Sequence, residues 1–139
     1  MCGLGAFVET VKVYQELDVI GSIWRTGSKL MEGMNEIASG LGISDHFSFV
    51  GVPCSPNFIT RDATGDVSLA FRTLFVQEMV KHGVLMPWVA LSYSHGSAET
   101  NIALEAARKS LEVYRRALND GVDGYLEGRP IKPVFRRYN

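Results

Sequence analysis

The stretch LEAARKSLEVYRRALNDG, residues 104–121, carries the clearest secondary-structure pattern in the chain. Its apolar residues recur at steps of three and four, which places them on one face of an α-helix: Leu104, Ala107, Leu111, Tyr114 and Leu118. Glu105 with Lys109, and Glu112 with Arg116, have the favourable order for ion pairs on the opposite face. We therefore predict a helix that buries Leu111 at its centre and ends at residues 119–121.

Upstream of this helix, the sequence predicts another helix followed by two short strands. Ser68 can cap a helix that carries Phe71, Leu74, Phe75 and Met79 on one face and that ends at Gly83. Residues 84–86 and 89–93 are rich in strand-forming residues. Pro87 interrupts them, because proline cannot donate to a central ladder.

Further upstream, two β-like segments follow two helices. Residues 46–52 and 56–61 are predicted strands, joined by a turn at 53–56. Apolar spacing predicts one helix over residues 6–17 and a second from Ile23 to Gly40, each with one buried face. This order predicts an α+β fold of two layers, in which helices cover one face of a small, mainly antiparallel sheet.

Composition excludes several classes of protein. The 14 Lys and Arg residues nearly balance the 15 Asp and Glu residues, so neither a nucleic-acid nor a membrane-surface partner is expected. Cys2 and Cys54 form no metal or disulfide pattern, and no secretory leader precedes residue 10. We expect a cytoplasmic protein, with no metal site.

The individual residues of the chain, taken without a family resemblance, do not indicate a particular reaction. Gly3-Leu4-Gly5 lacks the third glycine and the preceding strand of a dinucleotide site. His95 stands among hydroxyl groups, but we find no acidic partner near it in sequence and no G-x-S-x-G motif, so a Ser/His hydrolase is disfavoured. We expect His95 to pin a turn and cap the last helix. The five lysines fall on polar faces or in the tail and are expected to be solvated.

Three stretches together resemble class III pyridoxal-phosphate (PLP) aminotransferases, in particular the glutamate-1-semialdehyde aminomutase branch. FRTLFVQEMVKHGVLMP, residues 71–87, is similar to the helix, "rGv" turn and strand of that family. LSYSH at 91–95, followed by Asn101-Ile102 and Leu104-Glu105-Ala106, resembles its "S-x-a-H-t-e-e-D-I" passage. Residues 6–30, which end in Gly27-Ser28-Lys29-Leu30, resemble the helix pair that ends in "G-x-x-L".

The resemblance implies the C-terminal small domain of a fold-type I enzyme, usually a homodimer, that acts on a small amine or amino acid. Residues 1–42 would link to a large domain that is missing here, and residues 43–139 would form the small domain with a basic tail. The Schiff-base lysine and the other PLP-binding residues would lie in the large domain. The resemblance therefore implies no catalytic or cofactor-binding residue in this chain, no PLP bound to it and no activity in isolation.

The departures from the family concern the substrate. Many class III transaminases carry an arginine in the strand before the last helix, and this arginine clamps a substrate carboxylate. Residues 89–93 contain none, and the lengths around His95 differ from those of the aminomutases. By resemblance, the substrate-proximal residues are Pro87, Trp88, Ser92 and His95. The alternative is a self-standing α+β module that binds a ligand or regulates another protein.

Overall fold

The computed structural model describes residues 2–132 of the chain, the side chain of Cys2 excepted. The elements follow one another as α1 (Cys2–Glu16), α2 (Val19–Gly40), β1 (Phe47–Val52), β2 (Ser55–Thr60), α3 (Leu69–Lys81) and α4 (Ser97–Asp120), before a short 3-10 turn at Asp123–Tyr125. The architecture is α+β, as predicted. No helix in this part of the chain is both long enough and apolar enough to cross a bilayer.

Helix α4 lies at the centre of the fold. Ala107, Leu111 and Tyr114 are fully buried, while Leu104 and Leu118 at the ends of the predicted stripe are half-buried. The helix ends at Asp120, and Gly121 leaves it with a φ of 91°, a conformation that glycine adopts without strain. The predicted buried face of this helix is therefore confirmed.

The sheet is a two-stranded antiparallel hairpin. Phe47 pairs with Thr60 and Val52 with Ser55, so that Pro53 and Cys54 form the turn. The inward side chains of the hairpin are buried against the helices, namely Phe47, Phe49, Phe58 and Thr60. The hydroxyl of Tyr114 accepts the backbone N–H of Arg61 at 3.0 Å, and its single hydrogen lies within reach of the carbonyl oxygens of Arg61 and His46, at 2.7 and 2.9 Å. These contacts join α4 to the open end of the hairpin.

The two strands predicted at residues 84–86 and 89–93 do not form, and this prediction was wrong. Within residues 2–132 the sheet has two strands, because side chains occupy both of its outer edges. The Asn35 amide pairs with the N–H and the C=O of Phe49 on β1, at 2.8 and 3.1 Å. On β2, Arg72 donates to the carbonyl oxygen of Phe58 at 2.9 Å. Residues 82–96 are irregular instead, and their apolar side chains Val84, Met86, Val89 and Leu91 pack in or against the core.

Helices α2 and α1 differ in how they pack. From Leu30 onward α2 contributes to the core through Met34, Ile37 and Ala38. Helix α1 forms as predicted, but the prediction that it has a buried face was wrong, because residues 3–18 are exposed. Phe7 is 64% exposed and Trp24 of α2 is 43% exposed. Both apolar side chains are therefore open to solvent over a large part of their surface.

Candidate substrate-facing cleft

The irregular segment between α3 and α4 forms one wall of a cleft with a volume of about 490 Å³. Thr26 and Leu30 of α2 and the first turns of α4 form the other walls. Three of the predicted substrate-proximal residues, Pro87, Trp88 and His95, line this cleft together. The fourth, Ser92, is not part of the lining and instead bonds to His95. The size of the cleft is typical of a small-molecule site.

Most of the lining is apolar and open to solvent. Leu85 is 80% exposed and Trp88 68% exposed, whereas Met86 is buried between the segment and the core. The described lining contains neither lysine nor arginine.

His95 pins the turn before α4, as predicted. The ring Nδ1 of His95 accepts the backbone N–H of Ser92 at 2.9 Å. The backbone N–H of His95 donates to the carbonyl oxygen of Ser92 at 3.1 Å. Because Nδ1 acts as an acceptor, the neutral ring carries its proton on Nε2. The Ser92 hydroxyl lies 3.3 Å from the same Nδ1, whose lone pair is already occupied. This geometry gives Ser92 no free base and disfavours a Ser/His hydrolase.

The cap of α4 differs from the prediction, which assigned it to His95. Gly96 is the N-cap residue and has no side chain to contribute, and Glu99 accepts the Gly96 N–H at 2.8 Å. Hydrogen bonds from the Gly96 and Glu99 backbone N–H groups lower the pKa of the Glu99 carboxyl below its usual range. Glu99 is therefore an ionised group on the cleft wall.

Glu99 was not among the predicted site residues, and the prediction that His95 has no acidic residue near it in sequence was wrong. Glu99 follows His95 closely in the chain and lines the same cleft. The available signal was the spacing Gly96-x-x-Glu99, which places a carboxylate at the third position of a helix.

Arg72, which was also not predicted as a site residue, bonds to the cleft wall. Its two terminal nitrogens donate to the carbonyl oxygens of Phe58 and Pro87, at 2.9 and 3.2 Å. The guanidinium carbon lies 3.9 Å from the centre of the Phe58 ring. The planar guanidinium of Arg72 thus ties Pro87 to the hairpin.

A second, more polar cleft of about 380 Å³ adjoins the first. Thr26, His95 and Thr100 line both clefts. The charged groups of the second cleft come from α2, where Arg25 pairs with Asp18 at 2.9 Å and Lys29 lies on the exposed surface. His95 therefore separates an apolar cleft from a charged one.

The lysines of the described chain do not fit a PLP site. Lys12, Lys81 and Lys109 pair with glutamates and have side chains that are 54%, 41% and 52% exposed. Lys29 and Lys132 are also exposed. An imine-forming lysine needs an apolar setting or a neighbouring cation that lowers its pKa, and none of these residues lines the apolar cleft.

Comparison with known proteins gives a fold and no family. No family model matches the sequence, and no curated protein matches it. A solved structure with the same fold is that of the Sphingopyxis sp. MTA144 FumI protein in its PLP internal aldimine form, with a TM-score of 0.69 and 19% identity. The match covers 81% of this chain and 27% of that one. The chain thus has the α+β fold of about a quarter of a protein that was solved with PLP.

Proposed function

We propose that this chain is the small, substrate-covering domain of a larger cytoplasmic PLP-dependent aminotransferase or aminomutase, similar to glutamate-1-semialdehyde aminomutase. The observation that carries the proposal is the likeness of 81% of the chain to about a quarter of a PLP-containing protein. Two features of the structure support it. Helix α1 exposes an apolar surface that a larger domain could cover, and the cleft is apolar on its open side.

In this proposal the chain contributes a wall and supplies no reacting group. PLP would provide imine chemistry from the rest of the protein, where its lysine would lie. Pro87 and Trp88 would exclude water from the substrate, and Arg72 would hold Pro87 in place. His95 would fix the turn that leads into α4 through its bond to Ser92.

The cofactor test compares this chain with a product extended upstream of residue 1. After incubation with PLP and reduction with borohydride, we expect the isolated chain to carry no stoichiometric pyridoxyl-lysine, because its lysines are exposed and lack an apolar setting. We expect the extended product to carry one, at a lysine outside these 139 residues. Peptide mass mapping locates the adduct. A stoichiometric adduct on Lys12, Lys29, Lys81, Lys109 or Lys132 of the isolated chain would contradict the proposal.

A further prediction concerns the exposed surface of α1. We expect the isolated chain to self-associate at micromolar concentration, since Leu4, Phe7 and Val11 form part of an unpartnered apolar face. Light scattering measures this. Replacing Leu4 and Phe7 by serine should shift the chain toward monomer, whereas Glu9→Gln on the same helix should not. An unmodified chain that stays monomeric would show that this face needs no cover.

The second candidate function is a self-standing ligand-binding module. The observation that favours it is the cleft itself, since residues of one chain form all of its described walls. A monomeric chain that binds a ligand without any upstream extension would support this function over the first.

A further inference from the structure

We propose that the cleft between residues 84–91 and the first turns of α4 binds a hydrophobic primary amine, with its alkyl body against Trp88 and its ammonium group facing the Glu99 carboxylate. This inference rests on the proposed function, in which the substrate is an amine or an amino acid. The chemistry of the cleft wall favours an amine over an amino acid.

Several polar groups of the cleft wall already form hydrogen bonds within the protein. The Thr26 hydroxyl donates to the carbonyl oxygen of His95 at 3.2 Å, and the Thr100 hydroxyl donates to that of Gly96 at 2.8 Å. Nδ1 of His95 accepts from Ser92. These bonds leave Leu85, Trp88 and the other apolar side chains as the main surface that a ligand meets, so the body of the ligand should be apolar.

The negative charge of Glu99 favours a cationic ligand. Glu99 uses one carboxylate oxygen, Oε2, for the Gly96 N–H, and a carboxylate can accept several further hydrogen bonds. An ammonium group would complement its negative charge, while a carboxylate ligand would meet repulsion and no cation in the described lining. Arg25 and Lys29 line the other cleft and are not part of the lining of this one.

Trp88 offers an aromatic surface for the alkyl body of the ligand. Its side chain is 68% exposed and lines the cleft, and an indole face attracts both alkyl groups and organic cations. The chain contains two tryptophans, and the other, Trp24, does not line the cleft. In a Trp24→Phe background, the fluorescence of Trp88 alone therefore reports on binding at this site.

The experiment titrates the Trp24→Phe chain with n-hexylamine, n-hexanol and hexanoate at neutral pH. We expect saturable fluorescence changes, with hexylamine bound about fivefold more tightly than hexanoate, as an exposed ion pair allows. Glu99→Gln should remove most of this preference. Glutamine also serves at the third position of a capping box, so this variant keeps the helix cap. Glu105→Gln, on the same helix but outside the cleft, should keep the preference.

Several results would overturn the inference. They are a hexanoate affinity equal to or above that of hexylamine, a hexylamine preference that survives Glu99→Gln, and the lack of any saturable change with the three probes. None of these results bears on the cofactor test. A pyridoxyl adduct on a lysine of this chain would instead overturn the proposed function and leave the amine preference standing.

Discussion

Replacing Leu111 by alanine is expected to lower the free energy of unfolding by about 2 to 5 kcal/mol, the range for truncation of a large aliphatic side chain in a core. Leu111 is 0% exposed and belongs to the hydrophobic core that α2, α3, α4 and the hairpin share. The substitution removes three carbons from a position that neighbouring helices cannot easily fill. Equilibrium urea unfolding measures the change.

Glu112→Ala is the matched control, because it alters the next residue on the exposed side of the same helix. The ion pair predicted between Glu112 and Arg116 is not among those of the described residues, whereas Glu105 and Lys109 are 3.3 Å apart. We therefore expect a change below about 0.5 kcal/mol. Equal unfolding midpoints for Leu111→Ala and Glu112→Ala would mean that the packing assigned to α4 is wrong.

The second large effect is expected from Gly27→Ala in α2. A β-carbon at this position would lie 1.7 Å from the carbonyl oxygen of Pro53 and 2.6 Å from its carbonyl carbon. Both atoms are backbone atoms in the hairpin turn, so either the turn or α2 would have to move. Helix propensity alone predicts that alanine stabilises this position by about 1 kcal/mol. Overpacking should outweigh that gain and leave a net loss of about 2 kcal/mol or more.

Gly40→Ala separates the effect of helix propensity from the effect of the steric clash. Gly40 is the last residue of α2, and a β-carbon there would have no neighbouring atom within 4 Å. We expect its unfolding midpoint in urea to be unchanged or slightly higher, while that of Gly27→Ala falls. A rise for both variants would show that the hairpin turn does not approach α2 as closely as described.

The steric role of Gly27 also gives a physical reason for part of the resemblance. Gly27 opens the Gly27-Ser28-Lys29-Leu30 stretch, and Leu30 is buried in the core three residues later. Glycine lets α2 approach the hairpin turn, and leucine one turn later belongs to the core. The spacing between the two residues therefore follows from the contact between α2 and the hairpin.

Secondary structure that depends on neighbours in the chain was largely predictable. The period of apolar residues located α4 and its buried face, and Ser68 is the N-cap of α3, with its hydroxyl accepting the N–H of Phe71 at 3.3 Å. Residues 84–93 show where such reasoning fails. Their composition suits strands, but a strand needs a free edge, and Asn35 and Arg72 occupy the edges of the hairpin.

The site was predictable to a smaller extent. Family resemblance selected Pro87, Trp88, Ser92 and His95, of which three line one cleft. Neither periodicity nor motif indicated that Arg72 bonds to Pro87, because this contact joins separate elements across the fold. In the sequence, little distinguishes Glu99 from other acidic residues. Its position beside the apolar wall depends on the packing of α4 near α2 and residues 84–91.

Local spacing and turn chemistry thus specify the four helices, the hairpin and the buried face of α4, because these features arise from interactions between residues close in sequence. Packing between distant segments specifies the rest. It sets the approach of Gly27 to Pro53, the occupied sheet edges, the exposure of α1 and the meeting of Trp88, His95 and Glu99 around one cleft. Those features require the positions of several elements at once, and no short stretch of the chain encodes them.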